Sequence, residues 1–227
     1  MAGVSERGVR FAVGERTGEV SGLLLHPPDA DRLIVLAHGA GAGMRHAFME
    51  AIATRLAQRR IANLRFQFPY MEAGRRSPDR PPVATATVRA AVATAAALAP
   101  ALPLFAGGKS FGGRMTSTAA AAAPLPGVRG IVFLGFPLHP ARRPSAERGA
   151  HLRDVAVPLL FLQGERDALA DLALISKLCS ELAPWATLHV IEGGDHSFHV
   201  PKRAGRSDAD VLDELAEAVD RFTAAHS

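Results

Sequence analysis

Short apolar runs alternate with helical patterns along the chain, and this alternation constrains the fold more than any other feature. Strands are predicted at 9–13, 19–27, 33–39, 63–68, 102–108, 129–137, 158–164 and 186–194. Helices are predicted at about 46–60, 83–99, 170–183 and 208–224, with an alanine-rich helix directly after Ser110. Strands that alternate with helices predict an α/β fold, a mostly parallel sheet covered by helices on both faces. The first two runs, VRFAV and EVSGLLLHP, are expected to form a hairpin.

The chain is long enough to bury one large core. It has 227 residues, of which 48% are hydrophobic and 21% are charged, a balance typical of globular proteins. No internal repeat and no Ser- or Pro-rich linker divides the sequence. We therefore predict one domain that spans residues 1–227.

The location of the protein is predicted from its first residues and its single cysteine. The segment MAGVSERGVRF is charged and lacks the apolar core of a secretory signal. Cys179 has no partner for an internal disulfide, and its apolar-periodic surroundings predict a packed thiol. The uncharged run 90–108 contains Pro100 and Pro103, which favour a helix followed by a buried strand over a membrane span. We expect a cytoplasmic protein that does not bind a membrane.

The net charge of +4 is carried by 23 arginines and 3 lysines. The arginines are scattered along the chain, whereas nucleic-acid-binding proteins gather them in a patch or stripe. The sequence therefore predicts no nucleic-acid partner, and it does not specify an oligomeric state.

The segment FAGGKSFGG (105–113) fits two different motifs. It ends like a phosphate-binding loop, but that motif needs a glycine five residues before Gly108, where the chain has Pro103. Proline has no N–H with which to bind a phosphate. The other motif, G-x-S-x-G, presents a nucleophilic serine on a sharp turn between a strand and a helix. The apolar run before Ser110 and the alanine-rich helix after it favour this second interpretation.

A serine nucleophile needs a base, and the base needs an acid that orients it. In α/β enzymes that use such a serine, the chain order is Ser, then Asp or Glu, then His, each beyond the carboxyl end of a strand. The chain offers Ser110, then Asp167 in QGERDAL, then His196 in GGDHSF. Their order and positions predict a catalytic triad of these three residues.

Other interpretations of these residues stay open. Asp167 is also suited to a helix N-cap, and Glu165 is a rival acid that lies nearer the strand end. His196 and His199 could form a metal pair, but the sequence shows no third ligand. We therefore predict no metal site.

Acyl transfer also needs N–H groups that stabilise an oxyanion. One is expected from Phe111, the residue after the nucleophile, and the other from a loop after an early strand that often begins His-Gly. The segment VLAHGAGAGM supplies this loop, and the Ala40 N–H is the predicted second donor. Glycines such as Gly41 allow close approach of the backbone, and His38 is expected to brace the loop.

The segments HGAGAGM, FQFPY with GRRSPDRPP, GGKSFGG, GFPLHP, QGERD and GGDHSF together resemble a small α/β-hydrolase family. Its bacterial members often carry a dienelactone-hydrolase-like label. The same domain occurs in testis-expressed protein thirty and in subunit three of the animal nonspecific-lethal histone-acetylation complex. The resemblance covers roughly residues 18–222. It implies the eight-stranded α/β-hydrolase fold without a large cap domain, and it carries the triad roles onto Ser110, Asp167 and His196.

Two loops that follow predicted strands, 69–82 and 136–144, are expected to surround the site. Both are rich in arginine, which would favour carboxylate-bearing esters if these side chains face the crevice. The alternative is a solvated basic surface. The residues predicted to bind substrate are Gly41, Tyr70, Arg75, His139 and Arg142.

These features together predict a serine hydrolase that acts on a small ester by esterase-type acyl transfer, without a cofactor or a metal. The connection 137–157 is too short and too polar for a lipid-facing lid, so we expect an open crevice and a preference for short acyl chains. The alternative is a non-catalytic scaffold of the same fold that binds a protein partner or an acidic ligand. A scaffold has no need of all three triad residues.

Overall fold

A computed structural model describes residues 5–15 and 17–227 of the chain. The described residues form eight strands in one sheet. The strands are β1 (Ser5–Gly14), β2 (Gly18–His26), β3 (Arg32–Ala37), β4 (Ile61–Phe66), β5 (Leu104–Lys109), β6 (Val128–Leu134), β7 (Leu159–Gly164) and β8 (Ala186–Ile191). Their order in space is β1-β2-β4-β3-β5-β6-β7-β8. The hairpin β1–β2 and the pair β2–β4 are antiparallel, and the other neighbours are parallel.

Helices connect the parallel strands and cover both faces of the sheet. They are α1 (Ala47–Ala57), α2 (Pro69–Glu72), α3 (Pro81–Leu98), α4 (Phe111–Ala122), α5 (Leu172–Glu181) and α6 (Asp208–Ala225), with 3-10 segments at Glu147–Asp154 and Lys202–Ala204. The predicted α/β fold with a mostly parallel eight-stranded sheet is therefore confirmed.

The core lies in two layers, one on each face of the sheet. Helices α3, α4 and α5 bury Val88, Met115 and Ile175 in the larger layer. Helices α1 and α6 bury Ile52 and Leu215 in the smaller one. Each fully buried aliphatic side chain of this size stabilises the fold by about 1.5–3 kcal/mol. The sheet, packed on both faces, therefore supports the loops at its carboxyl edge.

Several strands end earlier than the sequence pattern predicts. Strand β6 stops at Leu134 because Gly135 turns the backbone to a φ of +73°. Strand β4 lies two residues before the predicted 63–68, because Phe68 leaves the sheet ahead of Pro69, the first residue of α2. Proline cannot donate a ladder hydrogen bond and restricts the residue before it.

The uncharged run 90–108 divides between the end of α3 and most of β5. Alanine makes the first part a good helix former, and proline ends it. Nowhere in the described residues is a helix both long and apolar enough to cross a bilayer.

Candidate active site

The turn between β5 and α4 holds Ser110 in a strained backbone conformation. Its φ of 50° and ψ of −115° lie outside the regions that residues with a side chain normally occupy. Such strain is concentrated at functional sites. Ser110 occupies the N-cap position of α4, yet its side chain makes no capping hydrogen bond. Its hydroxyl instead contacts Nε2 of His196, which lies outside the helix.

Glycines on both sides of Ser110 let the turn pack closely against β3. A Cβ atom on Gly108 would lie 2.2 Å from the carbonyl oxygen of Ala37, and one on Gly112 would lie 2.4 Å from the same oxygen. Real Cβ atoms do not approach an oxygen so closely. Glycine at both positions therefore allows the turn that carries Ser110 to lie directly against the end of β3.

Ser110, His196 and Asp167 form one hydrogen-bonded chain, although they are far apart in sequence. They follow β5, β8 and β7, whose parallel arrangement brings their carboxyl ends to one edge of the sheet. His196 Nε2 lies 2.8 Å from Ser110 Oγ, and His196 Nδ1 lies 2.7 Å from Asp167 Oδ2. An ionised carboxylate only accepts hydrogen bonds, so Nδ1 carries the proton and Nε2 offers its lone pair to the serine hydroxyl. In this tautomer the imidazole can act as a base toward Ser110.

The Asp167 carboxylate is fully buried and is held by further donors. Its Oδ1 accepts a hydrogen bond from the Leu169 N–H at 2.7 Å. Its Oδ2 also accepts one from the side-chain amide of Gln163, whose carbonyl accepts the Phe136 N–H at 2.9 Å. Buried polar groups need such partners, and these fix the orientation of the carboxylate toward His196. The sequence pattern does not identify Gln163, because it occupies an ordinary strand position.

His38 braces the loop that follows β3. The residue is fully buried, and burial lowers the pKa of its imidazole to about 4, so the ring is neutral near pH 7. Its Nε2 accepts a hydrogen bond from the Phe68 N–H at 3.2 Å. Nδ1 therefore carries the proton and donates to the Gly39 carbonyl at 2.7 Å. The ring connects this loop to the chain beyond β4.

The N–H groups of Ala40 and Phe111 have no acceptor within residues 5–15 and 17–227. Phe111 is the first residue of α4, where N–H groups lack an intrahelical partner and the helix dipole is positive. Ala40 lines the cavity beside Ser110. Neither N–H group is therefore engaged by another group of the described residues.

A cavity of about 410 Å³ opens beside Ser110, a size that suits a small-molecule ligand. The first turn of α1 forms one wall and the loop after Asp167 forms the other. The side chains that line it include Phe48, Met49, Leu169, Lys109, Ser110 and His196. The wall is thus mainly apolar, and the polar groups lie around the serine.

Two residues predicted to bind substrate are part of the scaffold instead. Tyr70 is fully buried, and its hydroxyl accepts a hydrogen bond from the Gly41 N–H at 2.9 Å. His139 is also buried, and its Nε2 accepts one from the Asp171 N–H at 2.7 Å. Neither side chain, nor Gly41, lines the cavity. They hold the two loops that form it.

The predicted arginines also lie outside the lining of the cavity. Arg75 is exposed and pairs with Asp79 at 2.8 Å on its own loop. Arg142 is exposed in the long connection after β6. Both match the alternative that the sequence left open, a solvated basic surface, and the expected preference for carboxylate-bearing esters loses its physical basis.

The rival residues at the strand ends have other partners. Glu165 accepts a hydrogen bond from the Gly193 N–H at 2.7 Å. His199 pairs with Asp208 at 2.7 Å on the surface. Across the described parts of the chain, no three His, Cys, Asp or Glu side chains converge on a possible metal position.

A second serine–histidine pair lies on α4. The Ser117 hydroxyl is 2.8 Å from His151 Nε2, the same distance as in the pair Ser110–His196. Ser117 is fully buried and does not line the cavity, so an ester cannot reach its hydroxyl. Among the residues that the structure describes, only Ser110 combines a histidine partner with access from solvent.

An eight-stranded, mostly parallel sheet with polar side chains gathered at its carboxyl edge is the architecture of α/β hydrolases. The family model of the alpha/beta hydrolase domain matches residues 30–224. The chain belongs to this family.

Solved structures with the same fold cover nearly the whole chain. A dienelactone hydrolase from Anabaena variabilis has a TM-score of 0.77 and 21% identity, over 98% of each chain. An α/β serine hydrolase without a lid from Xanthomonas campestris has a TM-score of 0.73 and 22% identity, over 98% of this chain and 97% of that one. The esterase domain of a Rhodothermus marinus protein has a TM-score of 0.70 and 17% identity, over 96% and 98%. At these identities the likeness is one of fold.

Proposed function

We propose that this protein is a serine hydrolase that cleaves small, uncharged esters by acyl transfer first to Ser110 and then to water. The observation that carries the proposal is the continuous hydrogen-bonded chain from Ser110 through His196 to the buried Asp167, which opens onto a cavity. The names of the structural neighbours, a dienelactone hydrolase, a serine hydrolase and an esterase domain, support the same reaction class.

In the first half-reaction, Ser110 Oγ attacks the ester carbonyl while its proton moves to His196 Nε2. The carbonyl oxygen becomes an oxyanion, which accepts hydrogen bonds from the Ala40 and Phe111 N–H groups. Asp167 accepts a hydrogen bond from the Nδ1–H of the ring and stabilises the imidazolium. The C–O bond to the alcohol then breaks, and the leaving oxygen takes the proton from Nε2.

In the second half-reaction, water attacks the carbonyl carbon of the acyl-serine. Nε2 of His196 removes a proton from the water, and the same two N–H groups stabilise the second oxyanion. When the bond between Ser110 and the acyl carbon breaks, Oγ regains its proton from the ring. The carboxylic acid leaves, and no redox change or cofactor is involved.

The walls of the cavity support the choice of substrate. Phe48, Met49 and Leu169 offer apolar surface to an acyl or alkoxy group. Arg75 and Arg142 lie elsewhere, so a carboxylate on the substrate finds no arginine partner in the lining. The cytoplasmic location, the one-domain organisation and the kinship with the two eukaryotic proteins stay predictions from the sequence.

A fluorophosphonate probe tests the proposal because it reacts with serines that a base activates. We expect one adduct, and mass spectrometry of peptides should place it on Ser110. Ser110→Ala should abolish labelling and the hydrolysis of p-nitrophenyl acetate, while circular dichroism stays unchanged. Ser117→Ala is the matched control, since it removes the other serine that bonds a histidine, and it should retain both activities.

A folded wild-type protein that neither reacts with the probe nor hydrolyses activated esters would overturn the proposal. The alternative, a non-catalytic scaffold of the same fold, would then be the better description of the protein's function. An adduct on Ser117 would show that the wrong serine–histidine pair has been assigned.

A further inference from the structure

Lys109 is the last residue of β5 and directly precedes Ser110. Its Nζ atom donates a hydrogen bond to the backbone carbonyl of His196 at 2.5 Å. The same atom lies 5.1 Å from the ring centroid of Phe198 and 5.8 Å from that of Phe48, within the range of cation–π attraction. The residue before the nucleophile therefore contacts the residue that serves as its base.

Gly135 makes room for this contact. A Cβ atom at that position would lie 3.0 Å from Lys109 Nζ and 3.6 Å from His196 Cε1. The Lys109 ammonium and the Cε1 edge of the His196 ring thus both lie next to Gly135, just beyond the end of β6. Lys109 lines the cavity, and its Nζ atom reaches the backbone of the loop that carries His196.

The ammonium has no carboxylate within salt-bridge distance in the described residues. Burial lowers its pKa to about 8, although the charges of Asp167 and Asp195 act in the opposite direction. The other titratable groups around this cavity are His196 and His46. Burying a charge is costly, and an apolar side chain of similar length could fill the same space. A cation at this position is therefore better explained by a contribution to the site than by packing.

We propose that Lys109 is a positioning residue, whose ammonium holds the His196 loop against the turn that carries Ser110. The inference rests on the proposed serine-hydrolase function. A charge-assisted hydrogen bond is about twice as strong as a neutral one, so the positive charge matters as well as the length of the side chain. The lysine keeps Nε2 of His196 at hydrogen-bond distance from Ser110 Oγ.

The test compares Lys109→Met, which keeps the stem but removes the charge, with Lys109→Arg, which keeps a charge. A displacement of about 1 Å at a catalytic centre can lower the rate about 100-fold, so we expect kcat of Lys109→Met to fall about 10- to 100-fold. KM should change little because methionine occupies nearly the same space in the cavity wall. Lys109→Arg should retain more of kcat than Lys109→Met. Lys177→Met, an exposed lysine on α5, is the control and should behave as wild type.

The pH profile gives a second measurement, and its first part, the profile of the wild type, needs no variant. Because burial lowers the pKa of Lys109 to about 8, the ammonium loses its proton progressively as the pH rises through this region. The wild-type kcat should therefore decline above about pH 8, and this decline should be absent from Lys109→Arg. Circular dichroism of each variant separates an effect on the site from unfolding.

The outcomes separate this inference from the function on which it rests. If wild type is labelled by the fluorophosphonate but Lys109→Met keeps its kcat, the positioning role is wrong and the hydrolase stands. A wild-type rate that shows no decline above pH 8 also contradicts the role of the charge. If wild type itself is neither labelled nor active, both proposals fail together.

Discussion

The carboxylate of Asp167 contacts His196 Nδ1 through one oxygen, at 2.7 Å, and the Leu169 N–H through the other. This leaves one orientation in which the carboxylate can accept from the ring. Glu165, only two residues earlier in the chain, turns away and accepts from Gly193. The geometry therefore separates two acids that the sequence places side by side.

Asp167→Asn tests this separation. An asparagine amide can donate to Nδ1, which would leave the proton on Nε2 and prevent the ring from accepting the serine proton. Loss of the acid in comparable triads lowers kcat about 10⁴-fold, and we expect a loss of this order in p-nitrophenyl ester hydrolysis. Adding Ser110→Ala to this variant should reduce the rate little further, since the residues act as a unit. Glu165→Gln is the control, and a larger loss there than in Asp167→Asn would reassign the acid.

Gln163→Met should destabilise the protein, because it leaves two buried groups with one partner fewer. The Phe136 N–H loses its acceptor, and the Asp167 carboxylate loses a donor. An unsatisfied buried polar group costs about 1–3 kcal/mol, so the free energy of unfolding in urea should fall by at least this order. Gln58→Met, an exposed glutamine at the end of α1, should leave it within about 0.5 kcal/mol. Equal stability of the two variants would show that the Gln163 contacts contribute nothing.

The sequence could predict the positions of the strands and of Ser110, Asp167 and His196, because strand ends and turn residues are local signals. It could not predict which way Tyr70 points. That direction depends on α2, a single turn that begins at Pro69 and folds the tyrosine under the Gly41 loop. The sequence could not predict the contact of Lys109 for a similar reason, since its partner, His196, lies 87 residues away.

Gly112→Ala should damage both stability and activity. The added Cβ would lie 2.4 Å from the Ala37 carbonyl oxygen, which belongs to β3 and cannot move alone. Overpacking of this kind costs about 1–3 kcal/mol, and the displaced turn should lower kcat as well. Gly8→Ala on β1 is the matched control, because no atom lies within 4 Å of a Cβ added there. Thermal unfolding and ester hydrolysis measure both effects. A wild-type kcat in Gly112→Ala would contradict the close packing of the turn.

The cavity predicts a preference for short acyl chains. Its walls at Phe48, Met49 and Leu169 can bury a few methylene groups, each of which is worth about 0.8 kcal/mol or about a fourfold gain in kcat/KM. In the described residues, the connection from β6 to β7 forms a 3-10 segment and no helical lid. In a series of p-nitrophenyl esters from acetate to palmitate, kcat/KM should therefore peak between acetate and hexanoate. Detergent micelles should not raise it.

Leu169→Ala tests whether the preference for short acyl chains depends on the wall of the cavity. The substitution removes part of the wall while the backbone N–H still donates to Asp167, so the optimum should move to longer chains. Leu174→Ala, a half-buried leucine on α5 outside the lining, should lower stability without moving the optimum. An optimum that stays in place in Leu169→Ala would mean that the acyl group binds elsewhere. A wild-type maximum at palmitate, or a jump in rate at the micelle threshold, would contradict the short-chain preference itself.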